Sequence, residues 1–236
     1  MRGEGLADEA QLFRYPPKWI RDQATPEPHR LALRGLANEL REVLAMVADT
    51  TASEEELGIL TGLARGLRKQ LSGYPSGRTR AAYGRVAESK TERAFLDTSP
   101  LIGLANAVSP PLRLWVEGDR VRGSAVFNHT YEGPPGHVHG GILAAAFDDV
   151  LGATQSATGR PGMTARLDVT YLGPTPLNRE AQFEGRVVKV EGRKIFASAT
   201  LQVDGKLCAT ADGLFVTVDF AEMHNRVLET AAFDKP

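Results

Sequence analysis

Cysteine and long apolar runs are the scarcest features of this sequence. Its 236 residues include one cysteine, Cys208, which cannot form an internal disulfide, so a disulfide-stapled scaffold is excluded and a reducing compartment is favoured. No stretch reaches the roughly eighteen apolar residues that a membrane-spanning helix needs, and the N-terminus lacks the apolar run of a secretion signal. These absences predict a cytoplasmic protein with no membrane span.

The sequence also lacks an excess of charge of either sign. It has 28 basic and 29 acidic side chains, so the overall balance does not favour nucleic acid or an anionic membrane as a partner. With 42% hydrophobic residues, the chain has enough apolar material for one sizeable core and a smaller appendage.

The first half of the chain has the apolar spacing of α-helices. Between Pro28 and Leu71 two apolar stripes predict two helices, and Ser53 with Glu56 forms an S-x-x-E capping box that begins the second. We expect this hairpin to be a cover or a dimer element. Residues 72–98 are rich in glycine, serine and arginine, so we assign residues 1–97 to a helical N-terminal extension with its linker.

After residue 110 the apolar period changes from helical to alternating. Asp204-Gly205, between two alternating runs, is a type I′ hairpin signal, and Glu191-Gly192 and Glu117-Gly118 are comparable turns. We therefore expect sequential antiparallel strands in a meander. Residues 221–236 are left as a C-terminal tail. The predicted strands span residues 112–117, 120–128, 164–172, 181–191, 194–204 and 206–218.

One long helical segment interrupts these strands, at residues 139–157, and it is apolar nearly all round. Such a helix packs inside a sheet rather than on its surface. A curled antiparallel sheet around one central helix is the hotdog fold, so the prediction is an α+β hotdog domain at residues 98–220 with the helical extension before it.

Asp148 and Asp149 are anomalous in this apolar helix, because a buried carboxylate is costly unless it is paired or used. Neighbours on a helix point about 100° apart, so the two carboxylates should have different surroundings. The alternative is that both lie on a wet edge.

The start of the same helix carries His139-Gly140-Gly141. The first N–H groups of a helix are unpaired, and glycine lets an anionic oxygen approach them, as an oxyanion hole requires. The alternative is a plain glycine-rich helix start capped by His139. Gly140 and Asp148 are separated by about 12 Å along the axis, so one carbonyl can meet both only where two helices lie antiparallel in a two-fold dimer.

Three segments resemble the PaaI-like hotdog thioesterases, in particular the branch with the mammalian mitochondrial members. They are YEGPPGHVHGGILAAAFDD, GMTARLDVTYLGPTPL and VEGRKIFASATLQ, and the likeness covers about residues 120–220 but not 1–98. It implies a hydrolase of fatty acid metabolism that cleaves acyl-CoA, works as a dimer or tetramer, and needs no cofactor or metal.

The resemblance also implies roles for individual residues. Asp148 matches the acidic nucleophile or general base, and Gly140 the backbone donor to the thioester oxygen. His139 matches a histidine near the substrate carbonyl, and Thr164 a hydroxyl that places the water or the carboxylate. The asparagine that many members carry six residues before this histidine is Gly133 here, and Glu132 and His137 are candidate replacements.

For substrate binding we expect Gly141 at the helix start and an apolar acyl channel. Phe147, Leu151, Phe127 and Tyr171 are its candidate lining, with plain core as the alternative. Arg160, Arg193 and Lys194 are candidates for the CoA phosphates, although basic residues at turns are usually only solvated.

Other functions have less support. The sequence has no G-x-S-x-G nucleophile elbow, and the histidines at 129, 137 and 139 lack the spacing of further metal ligands. Cys208 has no partner histidine and is expected to be inert core. A non-catalytic acyl-CoA binding module remains the principal alternative.

Overall fold

The computed structural model describes residues 28–75, 97–160 and 162–218. The predictions for residues 1–27, most of the linker and the C-terminal tail therefore lie outside the described residues. Three α-helices, a short 3-10 helix and six strands make up the described chain. The helices are α1 (Pro28–Asp49), α2 (Glu54–Ser72) and α3 (Gly140–Ser156), with the 3-10 turn at His129–Tyr131, and the strands are β1 (Arg113–Glu117), β2 (Arg120–Val126), β3 (Gly162–Tyr171), β4 (Glu180–Glu191), β5 (Lys194–Val203) and β6 (Lys206–Thr217).

The six strands form one antiparallel sheet in the order β1-β2-β4-β5-β6-β3. All six predicted strands are confirmed to within two residues, but the simple meander is wrong. Because α3 lies between β2 and β3, the chain returns at the far edge of the sheet. β3 therefore pairs with β6, and β2 pairs with β4.

The predicted hairpin turns are confirmed, and they fall into two types. Asp204 and Gly205 have φ values of 51° and 76°, as a type I′ turn requires at both central positions. The β1–β2 and β4–β5 turns instead have glycine first, with φ of 60° at Gly118 and 58° at Gly192, and an ordinary residue second. That is the type II′ pattern, which also matches the twist of the strands.

The central helix α3 packs against β2 to β6 and buries eight of its residues. Phe147 meets Phe183 of β4 edge to face, with ring centroids 5.4 Å apart. Gly185 of β4 lets the helix approach closely, because a side chain there would overlap with Thr154. The structure thus confirms the predicted hotdog fold, a curled antiparallel sheet around one central helix.

The N-terminal extension contacts this domain through α1. Asp97, just before the domain, accepts from Arg30 at 2.7 Å and from Arg34 at 2.6 Å. Arg41 is buried and donates to the carbonyl oxygen of Ser109 at 2.7 Å. These contacts hold α1 beside the loop that precedes β1.

Helix α2 differs from α1, because none of its residues is buried. Its capping box is confirmed, since the Ser53 N–H donates to Glu56 Oε2 at 2.8 Å and the Glu56 N–H to Ser53 Oγ at 3.4 Å. Within the described chain α2 covers nothing, so the expected cover is not found there. No helix among the described residues is long and apolar enough to cross a membrane.

Candidate active site

Asp148 of α3 is joined to Thr164 of β3. The Thr164 hydroxyl donates to Asp148 Oδ1 at 2.8 Å, so two of the residues singled out from sequence are brought together. Asp148 is only half-buried, which leaves its second carboxylate oxygen available to a substrate or a water molecule.

A β-bulge at Ala165 directs Thr164 toward the helix. Leu167 and Val169 lie opposite Gly213 and Ala211, on the face of the sheet that meets α3. Strict alternation would turn Thr164 to the other face. The register shift between Thr164 and Arg166 restores it, because Thr164 then lies opposite the buried Phe215. No sequence signal marks this bulge.

Asp149 has different surroundings from Asp148, as the helical spacing predicted. It is half-buried and has no hydrogen bond to a described residue. Burial, with a smaller contribution from the charge of Asp148, raises the pKa of Asp149 to about 6. At neutral pH Asp149 is therefore charged, and of these two neighbouring side chains only Asp148 has a hydrogen-bonding partner among the described residues.

His139 caps the start of α3. Its Nδ1 atom accepts from the Gly141 N–H at 3.0 Å, so the ring is neutral and its proton lies on Nε2. This cap occupies the Gly141 N–H. The Gly140 N–H, by contrast, has no acceptor among the described residues. The capping role of His139 is therefore confirmed, and the role of the Gly140 N–H as an oxyanion donor stays a prediction.

Tyr171, at the end of β3, lies against the same helix start. Its hydroxyl donates to the Gly140 carbonyl oxygen at 2.7 Å, and a Cβ on Gly140 would lie 3.3 Å from its ring. Sequence reasoning placed Tyr171 in an acyl channel and missed this contact, because nothing in the strand pattern indicates which helix residue lies opposite the strand end.

The loop before α3 uses the two residues considered as replacements for the missing asparagine. Glu132 accepts from the Gly136 N–H at 2.6 Å and lies 3.3 Å from His129 Nδ1. Both contacts lower the pKa of Glu132, and the hydrogen bond from the Gly136 backbone has the larger effect. His137 Nδ1 lies 2.8 Å from the Pro135 carbonyl oxygen. Both side chains thus shape the loop.

The predicted apolar lining of the acyl channel is plain core in the single chain. Phe147 and Leu151 are 0% exposed and Phe127 is 1% exposed, so none of them presents surface to a ligand. A cavity of about 430 Å³ does lie between α1 and β2, but none of the predicted substrate-binding side chains lines it. Cys208 is buried, in agreement with the inert interpretation.

The three predicted phosphate contacts gather at the β4–β5 turn. Arg160 Nη1 lies 3.5 Å from the Gly192 carbonyl oxygen, and Arg193 donates to the Thr217 carbonyl oxygen at 3.0 Å. Lys194 is exposed at the start of β5. The structure brings these basic groups together, and their role toward a ligand stays a prediction. Among the described residues no cluster of three or more side chains could hold a metal ion.

Residues 135–209 match the family model described as the thioesterase superfamily. The acyl-coenzyme A thioesterase THEM4 of Mus musculus is 40% identical over 90 residues, which are 37% of this chain and 39% of that protein. THEM4 of Xenopus laevis is 39% identical over 87 residues, 36% of this chain and 39% of that protein. The chain thus spans about two fifths of the length of these curated relatives.

A solved structure extends the likeness beyond the sheet. The crystal structure of a thioesterase superfamily protein superposes with a TM-score of 0.65 at 26% identity and covers 86% of this chain and 94% of its own. That coverage exceeds the hotdog domain alone, so the fold likeness includes part of the N-terminal extension.

Proposed function

We propose that this chain, which carries a thioesterase superfamily domain at residues 135–209, hydrolyses an acyl-CoA thioester to a free acid and CoA. The observation that carries the proposal is the pair of groups on one helix: the Asp148 carboxylate, held by Thr164, and the free Gly140 N–H. The names of the matched relatives support the same class of substrate.

The site is completed by a second copy of the chain. Gly140 and Asp148 are eight residues apart, about 12 Å along the axis, which is too far for both to reach one carbonyl. β3 is an edge strand that pairs only with β6 in the described chain, and such an edge is open to another strand. An antiparallel pair of β3 strands would place two α3 helices antiparallel beside each other.

The charges of β3 favour one register for this pair. With the two-fold axis at Leu167, Arg166 of one copy lies opposite Asp168 of the other, so opposite charges meet twice. With the axis at Asp168, two aspartates would face each other, which is unfavourable. Asp148 contacts Thr164 near the beginning of β3, and Gly140 contacts Tyr171 at its end. Because the two strands run antiparallel, the first register brings Gly140 of one copy toward Asp148 of the other.

The chemistry needs one base and one oxyanion site. As general base, Asp148 takes a proton from water while the water oxygen bonds to the thioester carbon; the Gly140 N–H holds the resulting oxyanion. Collapse of the intermediate breaks the C–S bond and releases the CoA thiolate, which leaves readily because a thiol has a pKa near 8.5. As nucleophile, Asp148 would instead form a mixed anhydride that water then cleaves.

His139 and Tyr171 hold the oxyanion site in place. The peptide between Gly140 and Gly141 accepts from the Tyr171 hydroxyl at its carbonyl and donates to His139 Nδ1 at its N–H. Hydrogen bonds in series polarise one another, so this peptide is fixed from both ends. The same arrangement leaves the proton of His139 on Nε2, as a second donor toward the substrate carbonyl.

The CoA and acyl parts of the substrate would bind in different places. Arg160, Arg193 and Lys194 would meet the CoA phosphates, and the acyl group would lie at the junction of the two copies, since Phe147 and Leu151 are closed within one. A cytoplasmic homodimer or a dimer of dimers is the proposed form. The principal alternative is a module that binds acyl-CoA without cleaving it.

Thiol release from short, medium, long and aromatic acyl-CoAs tests the proposal. We expect turnover of at least one class, and a loss of kcat of about a thousandfold or more in Asp148→Asn with the fold retained. Binding without turnover in the wild type would favour the binding module. Full activity in Asp148→Asn would remove Asp148 from the mechanism.

Co-expression of two inactive variants tests the shared site. One variant is Asp148→Asn, and the other is Gly140→Pro, which lacks the N–H. In a mixed dimer one site takes Gly140 from the first chain and Asp148 from the second, so both groups are intact there. Random assortment should restore roughly a quarter of the wild-type activity. If each site is built within one chain, the mixture stays inactive.

A further inference from the structure

Helix α2 packs on no other element of the described chain. It has 19 residues and no buried one. Its leucines are 38% to 67% exposed, although they lie along one stripe of the helix. An apolar stripe of this kind is the usual mark of a packed helix face. The stripe consists of Leu57, Leu60, Leu63, Leu67 and Leu71.

The glycines of α2 show that the helix needs a partner. Gly58, Gly62 and Gly66 lie on the face opposite the leucines, and a Cβ at any of them would meet open space. Each glycine inside a helix costs about 1 kcal/mol relative to alanine, and isolated helices of this length are marginal in water. Local propensity therefore does not account for α2, and contact along its leucine stripe would.

Four of the five leucines in the stripe, all except Leu63, have the spacing of a coiled-coil seam. A heptad written from Leu57 places an apolar side chain at every a and d position of the helix, which is the pattern that packs against a second helix. The a positions are Leu57, Ala64 and Leu71, and the d positions are Leu60 and Leu67.

The charges of α2 favour an antiparallel partner of the same sequence. Its first turn carries three glutamates, and its C-terminal half carries the basic residues Arg65, Arg68 and Lys69. Two parallel copies would place the glutamates together. In an antiparallel pair related by a two-fold axis at the level of Gly62, Leu57 packs on Leu67 of the second copy, and Leu60 on Ala64. At the flanking e positions Glu54 then meets Arg68 of the second copy, twice.

We propose that α2 docks antiparallel on α2 of a second copy of this chain. The alternative partners for the leucine stripe of α2 are this chain's own residues 1–27 and 76–96, which lie outside the described residues. The proposed contact uses a different element from the β3 edge and does not depend on the reaction. Two contacts with separate two-fold axes would build a dimer of dimers.

A photo-crosslinking amino acid at position 60 of the full chain tests the occupant. We expect a covalent species of twice the chain mass of 25.5 kDa, in which position 60 is joined to residues 54–72 of another chain. The matched control carries the same amino acid at position 62, on the opposite face, and should give little of this species. A crosslink within one chain, to another region of the second copy, or equally from both positions would overturn the proposal.

A charge exchange tests the antiparallel register. Glu54→Lys and Arg68→Glu should each lower the association constant of the two α2 helices roughly tenfold, because each change places two pairs of like charges opposite each other. The double variant should restore it, although its helix start still lacks Glu54. Because crosslinking yield is measured without substrate, its result is separate from the outcome for acyl-CoA hydrolysis. No restoration in the double variant would overturn the register.

Discussion

Helices α2 and α3 have similar lengths, 19 and 17 residues, and opposite surroundings. α3 buries eight residues inside the sheet, and α2 buries none. Similar side chains therefore behave differently in the two helices, as their carboxyl groups show. Burial raises the pKa of Asp149 in α3, whereas hydrogen bonds from Ser53 lower the pKa of Glu56 in α2. The surroundings of a side chain, more than its residue type, therefore decide whether it can take part in chemistry.

Leucines should show the largest contrast in stability. Leu151 is fully buried, so Leu151→Ala should lower the free energy of unfolding by about 2 to 5 kcal/mol through lost contacts and a cavity. Leu60→Ala should change it by less than about 1 kcal/mol in dilute protein, since Leu60 is 51% exposed. Urea unfolding followed by circular dichroism measures both. Equal losses for the two variants would contradict the different burial of the two leucines.

Gly140, at the start of α3, should matter for activity. Proline is tolerated at the first position of a helix but has no N–H, so Gly140→Pro should lower kcat by about a hundredfold to a thousandfold with the helix intact. Gly140→Ala is the matched control. Like proline, alanine adds a Cβ that lies close to the Tyr171 ring, but it keeps the backbone N–H.

A change at a glycine of α2 should affect stability and not activity. Gly62→Ala should leave kcat unchanged and stabilise the protein by up to about 1 kcal/mol, because a Cβ there meets open space. Steady-state kinetics of the three glycine variants separates these effects. Similar kcat values for Gly140→Pro and Gly140→Ala would exclude the Gly140 N–H as the oxyanion donor.

Carboxylates should give opposite dependences on pH. The folded pKa of Asp149, about 6, lies above the ordinary aspartate value, so ionisation destabilises the fold, and the penalty grows as pH rises from about 4 to 6. Asp149→Asn should therefore stabilise the protein by about 2 kcal/mol at pH 7.5 and by almost nothing below pH 4. Thermal unfolding of the variant and the wild type across this range measures the difference.

Glu56 supplies the contrasting case. Its pKa is lowered in the folded protein, so its contribution to the start of α2 is present at neutral pH and lost as pH falls through that lowered pKa. Glu56→Gln should remove this acid dependence of helix content. A stability gain for Asp149→Asn that did not change with pH would rule out burial of its charge as the cause.

The smallest expected effect is at Tyr171, which contacts α3 from outside the helix. Tyr171→Phe removes the hydrogen bond to Gly140, so kcat should fall about threefold to tenfold while KM stays unchanged. The nitrogen chemical shifts of His139 should also show a less uniform Nε2–H tautomer. Tyr74→Phe, at a 63% exposed tyrosine, is the control, and an equal loss there would assign the effect to something other than this contact.

Local patterns predicted much of the fold. Alternation located six strands, the apolar run at 139–157 located α3, and glycine after an acidic residue located the turns, because these features depend on neighbours along the chain. The order of the strands was not predicted correctly. Which strand lies beside β6 depends on where α3 returns the chain, and that is a property of the whole sheet.

The secondary-structure elements and the residues of the candidate site could be predicted from local patterns: a carboxylate in an apolar helix, glycines at its start, and a threonine at the start of the next strand. How these residues come together is visible only in the folded chain. A single extra residue at Ala165 turned Thr164 onto Asp148, and the end of β3 set Tyr171 against Gly140. Side-chain periodicity is local, whereas a bulge and a strand crossing are settled by packing between distant parts of the chain.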